Sequence, residues 1–142
     1  MWFGTRNGLN RFDGNSFKIF RNDANDPQSI GSNSVLSLYE DKNNKLWIGT
    51  YKGLYAYDAV HEKFTLFNKI PQAEVRNISG DNKNNLWLIA DQVLYKLDET
   101  NNTLTAYNNH TAASVALCVA ANGIVWAASA NSIVKKYNAE KN

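Results

Sequence analysis

The sequence predicts an all-β chain made of repeated four-stranded antiparallel units, and three observations carry that prediction. The first is an internal repeat. The segment Trp2-Phe3-Gly4-Thr5-Arg6-Asn7-Gly8-Leu9-Asn10-Arg11-Phe12-Asp13 returns almost position for position as Trp47-Ile48-Gly49-Thr50-Tyr51-Lys52-Gly53-Leu54-Tyr55-Ala56-Tyr57-Asp58. An eroded copy runs from Trp87 to Asp98 and a fourth starts at Trp126, so the tryptophans are spaced 45, 40 and 39 residues apart. The second is alternation with a period of two, clear in Phe17-Lys18-Ile19-Phe20 and Phe64-Thr65-Leu66-Phe67, with no helical periodicity sustained over three turns. The third is turn chemistry: Asn7-Gly8, Asp13-Gly14 and Asn122-Gly123, and the Asn-Asn pairs at 43–44, 84–85 and 101–102, supply residues that tolerate the backbone of tight hairpins.

Each unit reads as four short strands, A to D. In the second unit A lies near Val35–Tyr39, B at Leu46–Thr50, C at Leu54–Tyr57 and D at Phe64–Phe67. The third gives Val75–Ser79, Leu86–Ala90, Leu94–Leu97 and Leu104–Tyr107 in the same order. The first unit begins at strand B. The fourth supplies A (Val115–Val119), B (Ile124–Ala128) and C (Ile133–Tyr137). Four antiparallel strands recurring about every 40 residues is the pattern of β-propeller blades. The recurrent Trp is expected to wedge between neighbouring blades, where a large flat ring fills the gap between twisted sheets. The reading is one partial propeller domain over residues 1–142, about three and a half blades, with repeats at about 1–29, 30–70, 71–109 and 110–142. Strand counts of three, four, four and three leave both ends of the arc bare. The expectation is a fragment of a longer, seven-bladed ring, or a chain that completes its ring with a second copy, since two copies would give 28 strands.

The pattern Leu-Trp-Ile-Gly-Thr-x-x-Gly-Leu-x-x-Tyr-Asp, matched in full from Leu46 to Asp58, resembles the two-component regulator propeller repeat. Trp2 to Asp13 matches with Phe3 and Phe12 as variants, and Val35-x-x-Leu38-x-x-Asp41 and Val75-x-x-Ile78-x-x-Asp81 match the family's strand A. Ala90 and Val93 stand where the third unit would have Thr and Gly, so its hairpin is expected to differ in shape. The Gly-His and Trp-Asp marks of WD40 repeats and the Gly-Gly of kelch repeats are absent. The stretch from Asp41 to Trp47 is one residue too long for the Asp-box of sialidases and lacks its Gly. The resemblance implies the periplasmic sensor region of a Bacteroidetes-type hybrid two-component histidine kinase, with the kinase outside this chain. It also implies a non-catalytic role in sensing ligands, oligosaccharides above all. A protein-interaction scaffold is the alternative.

Composition narrows the classes further. A net charge of +2 with scattered Lys and Arg gives no reason to expect nucleic acid or an anionic membrane surface as partner. No stretch of 18 apolar residues and no leader-like opening are present. Neither a cofactor nor a metal is expected: Asp41–Asn44 and Asp81–Asn85 alternate oxygen ligands but lack the Gly and Glu of a calcium loop, and capping of the A–B turn is the better reading. His61-Glu62-Lys63-Phe64 faintly resembles a phosphoacceptor box, yet it sits in a C–D turn rather than on a helix. His110 lies in the loop 108–114. Asp13, Asp58 and Asp98 recur at the end of strand C, as turn residues do. Cys118 in Val115-Ala116-Leu117-Cys118-Val119 is expected to be buried. The face made by the D–A loops and B–C tips varies on a repeating frame, which makes it the place to seek a ligand. Its candidates for hydrogen bonding to or stacking on a sugar are Arg6, Asn33, Tyr51, Lys52, Arg76 and Gln92.

Overall fold

A computed structural model of the chain describes residues 1–107, 114–131 and 133–138. Among them are fourteen strands and no helix, in four antiparallel sheets of three, four, four and three strands. The first blade is β1 (Trp2–Thr5), β2 (Gly8–Phe12) and β3 (Phe17–Phe20). The second is β4 (Val35–Glu40), β5 (Leu46–Thr50), β6 (Gly53–Asp58) and β7 (Lys63–Leu66). The third is β8 (Val75–Gly80), β9 (Asn85–Ala90), β10 (Val93–Asp98) and β11 (Thr103–Tyr107), and the fourth is β12 (Ser114–Val119), β13 (Ile124–Ser129) and β14 (Val134–Asn138). Every blade is a meander in which sequence neighbours pair, so the blades are those the repeat predicts, with boundaries shifted by a residue or so.

The chain divides into two compact units, Met1–Val75 and Arg76–Asn142. In the first unit the sheet pairing sorts the side chains of β1–β3 onto two faces. Directly opposed residues share a face, so Trp2, Leu9, Arg11, Lys18 and Phe20 look one way and Phe3, Asn10, Phe12, Phe17 and Ile19 the other. The first set packs on the second blade. Trp2 meets Tyr57 edge to face at 4.9 Å, and Phe20 meets Tyr57 and Phe64, each at 5.6 Å. With Leu9, Ile30, Val35, Leu46 and Ile48 they form one core. Aromatic edge-to-face pairs of this kind add roughly 0.5–1.5 kcal/mol beyond the area they bury. Arg11 covers the edge of that core. Its guanidinium lies over the Trp2 ring and donates to Tyr57 Oη and to Glu62, whose carboxylate also pairs with Lys18.

The second unit repeats the arrangement. Trp87, Tyr107, Ile89 and Leu94 of the third blade pack on Val125, Ala127 and Tyr137 of the fourth. The Trp87 and Tyr107 rings stack at 5.5 Å, and Tyr137 meets Tyr107 at 5.1 Å. The predicted wedge is therefore present for Trp2 and Trp87. β5 and β9, the second strands of their blades, are buried along their whole length. Strand A of the second and fourth blades opens with a register shift, between Val35 and Ser37 and between Ser114 and Ala116. Such a bulge twists the start of the strand.

Cys118 departs from expectation: it is exposed. It pairs with Trp126 across β12 and β13 and shares that residue's face, opposite the face that Val125 gives to the third blade. An apolar run in a strand shows that residues alternate between faces. It does not show which face is covered.

Candidate functional site

At one end of each blade strand B finishes, strand C begins and strand A begins. In the first unit this end is tied together by backbone. The hairpin tips Arg6-Asn7 and Tyr51-Lys52 are built alike. Thr5 Oγ1 accepts the Asn7 N–H at 3.0 Å and donates to the Gly8 carbonyl at 2.9 Å, and Thr50 Oγ1 does the same with Lys52 (3.1 Å) and Gly53 (2.9 Å). Gly8 and Gly53 close the hairpins with φ of 119° and 123°, a region costly for any residue with a Cβ. The two tips then reach consecutive carbonyls of the loop 21–34: the Gly8 N–H donates to Asn33 O at 2.8 Å and the Tyr51 N–H to Ser34 O at 3.3 Å.

The loop is itself firmly stitched. The Asn22 N–H donates to Asn33 Oδ1 at 2.8 Å, Asn22 Nδ2 donates to Ile30 O at 3.0 Å, and Ser29 Oγ bridges the Asp23 backbone. Gly31 lies so close over Tyr55 that a Cβ there would come within 1.8 Å of the phenol oxygen. Burial raises the Tyr55 pKa, so the phenol stays neutral and able to donate.

The structure thus brings Arg6, Asn33, Tyr51 and Lys52 together at one end of the first unit. Arg6, Tyr51 and Lys52 are exposed, while the Asn33 amide oxygen is already committed to the loop. In the second unit Gln92 and Arg76 are exposed at the corresponding end. The Asp91-Gln92 hairpin differs from the other two, as the loss of Thr and Gly predicts. Both loop residues are left-handed, with φ of 46° and 65°, the mirror-image turn of two-residue hairpins. The Gln92 carbonyl accepts the Ser114 N–H at 2.8 Å. His110 lies outside the described residues.

The other end carries the turn carboxylates. Asp13, Asp58 and Asp98 each cap the C–D turn with one carboxylate oxygen. The His61 side chain holds the Asp58 carboxyl below its usual pKa, aided by the His61 and Val60 backbone N–H groups; His61 Nδ1 lies 2.6 Å from it. His61 is thus a turn residue. Asp41 and Asp81 go further than turn capping. Asp41 Oδ1 accepts the Asn43 and Lys45 N–H groups while Oδ2 accepts the Trp47 indole N–H at 3.1 Å. Asp81 treats Lys83, Asn85 and Trp87 alike, the indole at 2.9 Å. Burial pushes the Asp81 pKa up, but the hydrogen bonds from Trp87 and Asn85 and from the Lys83 backbone outweigh it and hold the group below the usual value. The sequence signal for these pairs is an Asp six residues before the Trp. Among the described residues no three side chains of His, Cys, Asp or Glu converge as a metal site would require.

Comparison with known proteins fits this geometry. The two component regulator propeller family profile matches residues 29–52, so strands A and B of the second blade are a repeat of that kind. A 30-residue stretch, 21% of the chain, is 60% identical to histidine kinase P4 of Formosa agariphila and spans 2% of that protein. The extracellular domain of BT3049 from B. thetaiotaomicron, described as a hybrid two component system, superposes with a TM-score of 0.81 at 22% identity, over 97% of this chain and 20% of that one. The extracellular domain of BT4673 from the same organism, described as a one component system, gives 0.81 at 20% identity over 99% and 20%. Virginiamycin B lyase from Staphylococcus aureus gives 0.69 at 16% identity over 95% and 46%. The chain thus spans about a fifth of the two extracellular domains. Likeness at these identities establishes the propeller fold.

Proposed function

We propose that this chain is a non-catalytic sensor segment, part of the periplasmic portion of a two-component receptor, and that it responds to an oligosaccharide. The observation that carries the reading is the regulator propeller repeat at residues 29–52, whose loop and tip residues form the tied end of the first unit. The likeness to two extracellular domains of two-component and one-component systems supports the placement outside the cytoplasm, and kinase activity would belong to other parts of the receptor. Arg6, Tyr51 and Lys52 offer a cation, an exposed ring and a second cation on a frame fixed by backbone hydrogen bonds, a combination suited to stacking on a sugar ring and bonding its hydroxyls. Gln92 and Arg76 are the candidates of the second unit. Asn33 acts by holding the loop rather than by contact. The lyase likeness does not extend to chemistry here, because His61 and the turn carboxylates sit at the other end of the blades and serve turns.

Titration calorimetry of the chain and of a complete receptor carrying it, against a panel of oligosaccharides, tests the reading. Binding by both, weakened about tenfold by Tyr51→Ala through loss of one stacking contact, is the expected result. No heat from any sugar with either protein would count against it. A second reading, a protein-interaction scaffold, is favoured by the exposed Phe3, Phe17 and Ile19 of the first blade. A stable partner chain recovered without any sugar binding would support that one.

A further inference from the structure

We propose that the tied end of the first unit takes an acidic sugar, one whose ring carries a carboxylate or a sulfate ester. The inference rests on the sugar-sensing reading and narrows its ligand by charge. Arg6, Arg21 and Lys52 stand together at this end. Arg6 and Lys52 are on the two hairpin tips, and both are exposed. The tips are two hydrogen bonds and one peptide unit apart, since the Gly8 N–H donates to Asn33 O and the Tyr51 N–H to Ser34 O. Arg21 joins them from the loop 21–34. Its Nε donates to Asn7 O at 3.2 Å, and its stem passes so near Gly8 that a Cβ there would lie 3.2 Å from Arg21 Cγ. The Arg21 guanidinium is thereby fixed beside the first tip.

What sets these cations apart is the lack of a counter-charge. At the other end of the same unit Arg11 and Lys18 share the Glu62 carboxylate, and Lys45 lies 3.9 Å from the centre of the Trp47 ring. Among the described residues no carboxylate pairs with Arg6, Arg21 or Lys52, and the side chains of Arg6 and Lys52 have no hydrogen-bond partner. The acidic groups of the loop 21–34 serve its own turns: Asp23 accepts the Asn25 N–H and Asp26 the Gln28 N–H, each at 2.9 Å. Like charges held on one rigid frame repel one another, and an anion placed among them relieves the repulsion. A guanidinium grips a carboxylate or an ester sulfate through parallel N–H···O bonds, while an ammonium adds a point charge. Tyr51, next to Lys52 and 51% exposed, supplies the face on which the sugar ring stacks. A neutral sugar can accept hydrogen bonds from the same groups but gains nothing from their charge.

Titration calorimetry on a complete receptor carrying this chain tests it with matched sugars: oligogalacturonates and their methyl esters, and sulfated galactan oligosaccharides and their desulfated forms. The expected result is an acidic sugar bound about tenfold or more tightly than its neutral counterpart, and the pair that shows the gap tells carboxylate from sulfate. That affinity should fall about tenfold in Arg6→Gln and again in the double variant with Lys52→Gln. It should be unchanged in Lys63→Gln, which removes an exposed cation at the other end. Added salt should weaken the acidic sugar and leave a neutral one untouched, and circular dichroism confirms that the variants fold. Equal affinity for charged and neutral forms, or a preference for charge that survives both substitutions, would overturn the proposal and leave oligosaccharide sensing standing. Heat from no sugar at all would overturn both.

Discussion

The turns that lead into the second strands of the third and fourth blades share a backbone although all five of their side chains differ, and the difference that bears on the tryptophan is Asp81 against Ala120. In the third, the Asp81 N–H donates to Asn85 O at 3.0 Å and the Asn84 N–H to Asp81 O at 3.3 Å, with Asn84 at φ 65°. In the fourth, the Ala120 N–H donates to Ile124 O at 2.8 Å and the Gly123 N–H to Ala120 O at 2.9 Å, with Gly123 at φ 76°. The left-handed residue and two backbone hydrogen bonds make the turn without any help from a carboxylate. What the carboxylate adds is a partner for the indole. Trp87, whose N–H reaches Asp81, is fully buried, and so is Trp47 beside Asp41 but for 2% of its surface. Trp126 has Ala120 at the place of that Asp and is 41% exposed, where water can satisfy its N–H. In this chain an Asp stands six residues before each of the two buried indoles, Trp47 and Trp87, and an alanine before the exposed Trp126.

The largest expected effect separates the two tryptophans. Trp87→Ala should cost about 3–5 kcal/mol of stability, the range for deleting a buried aromatic, whereas Trp126→Ala in the dilute, single-chain form should cost within about 0.5 kcal/mol. Equilibrium unfolding in urea followed by far-ultraviolet dichroism measures both, and equal losses would break the comparison. Next comes the carboxylate. Asp81→Ala should cost about 2–3 kcal/mol, because it strands the buried indole N–H and the turn amides, while Ala120→Asp should leave stability nearly unchanged. The left-handed residue is third. At Gly123 a Cβ would also lie 2.7 Å from Asn82 Oδ1, so Gly123→Ala should cost about 1–2 kcal/mol, and Asn84→Gly about 0.5 kcal/mol or less in either direction. The smallest effect is the pH dependence. Because the folded pKa of Asp81 is lowered, its contribution is present above the unfolded carboxylate value near 3.9 and is lost as pH falls through the lower folded value. The stability gap between wild type and Asp81→Asn should therefore narrow below about pH 4; a gap that stays constant from pH 6 to about pH 3 would show that Asp81 is not held ionised by the fold.

Most of the fold was legible because its signals are local. Alternation, Asn and Gly at the turns, and a Trp at fixed spacing need only neighbouring residues, and they place the strands of the second, third and fourth blades to within a residue or so. The exchange of Thr and Gly for Ala90 and Val93 was enough to foretell a different hairpin, since the Thr hydroxyl and the Gly backbone are what the other two are built on. The Asp-to-Trp pairs were half legible. The carboxylate was readable as a turn cap, but its second oxygen serves a side chain across the hairpin. Cys118 and Asn33 were not legible for one shared reason. Whether a strand face is covered depends on what packs on it from another blade, and whether the amide at 33 meets the backbone at 22 depends on the path of the whole loop 21–34; neither is set by neighbouring residues.

The uneven burial of the indoles has an optical consequence. Indole emission shifts to longer wavelength in polar surroundings, and a collisional quencher reaches only rings that touch solvent. Trp126 should therefore contribute the reddest and most quenchable part of the chain's fluorescence, against a blue, protected background from Trp47 and Trp87. Anything that settles on that face of the fourth blade would turn that component blue and shield it, so the indole reports on contact there.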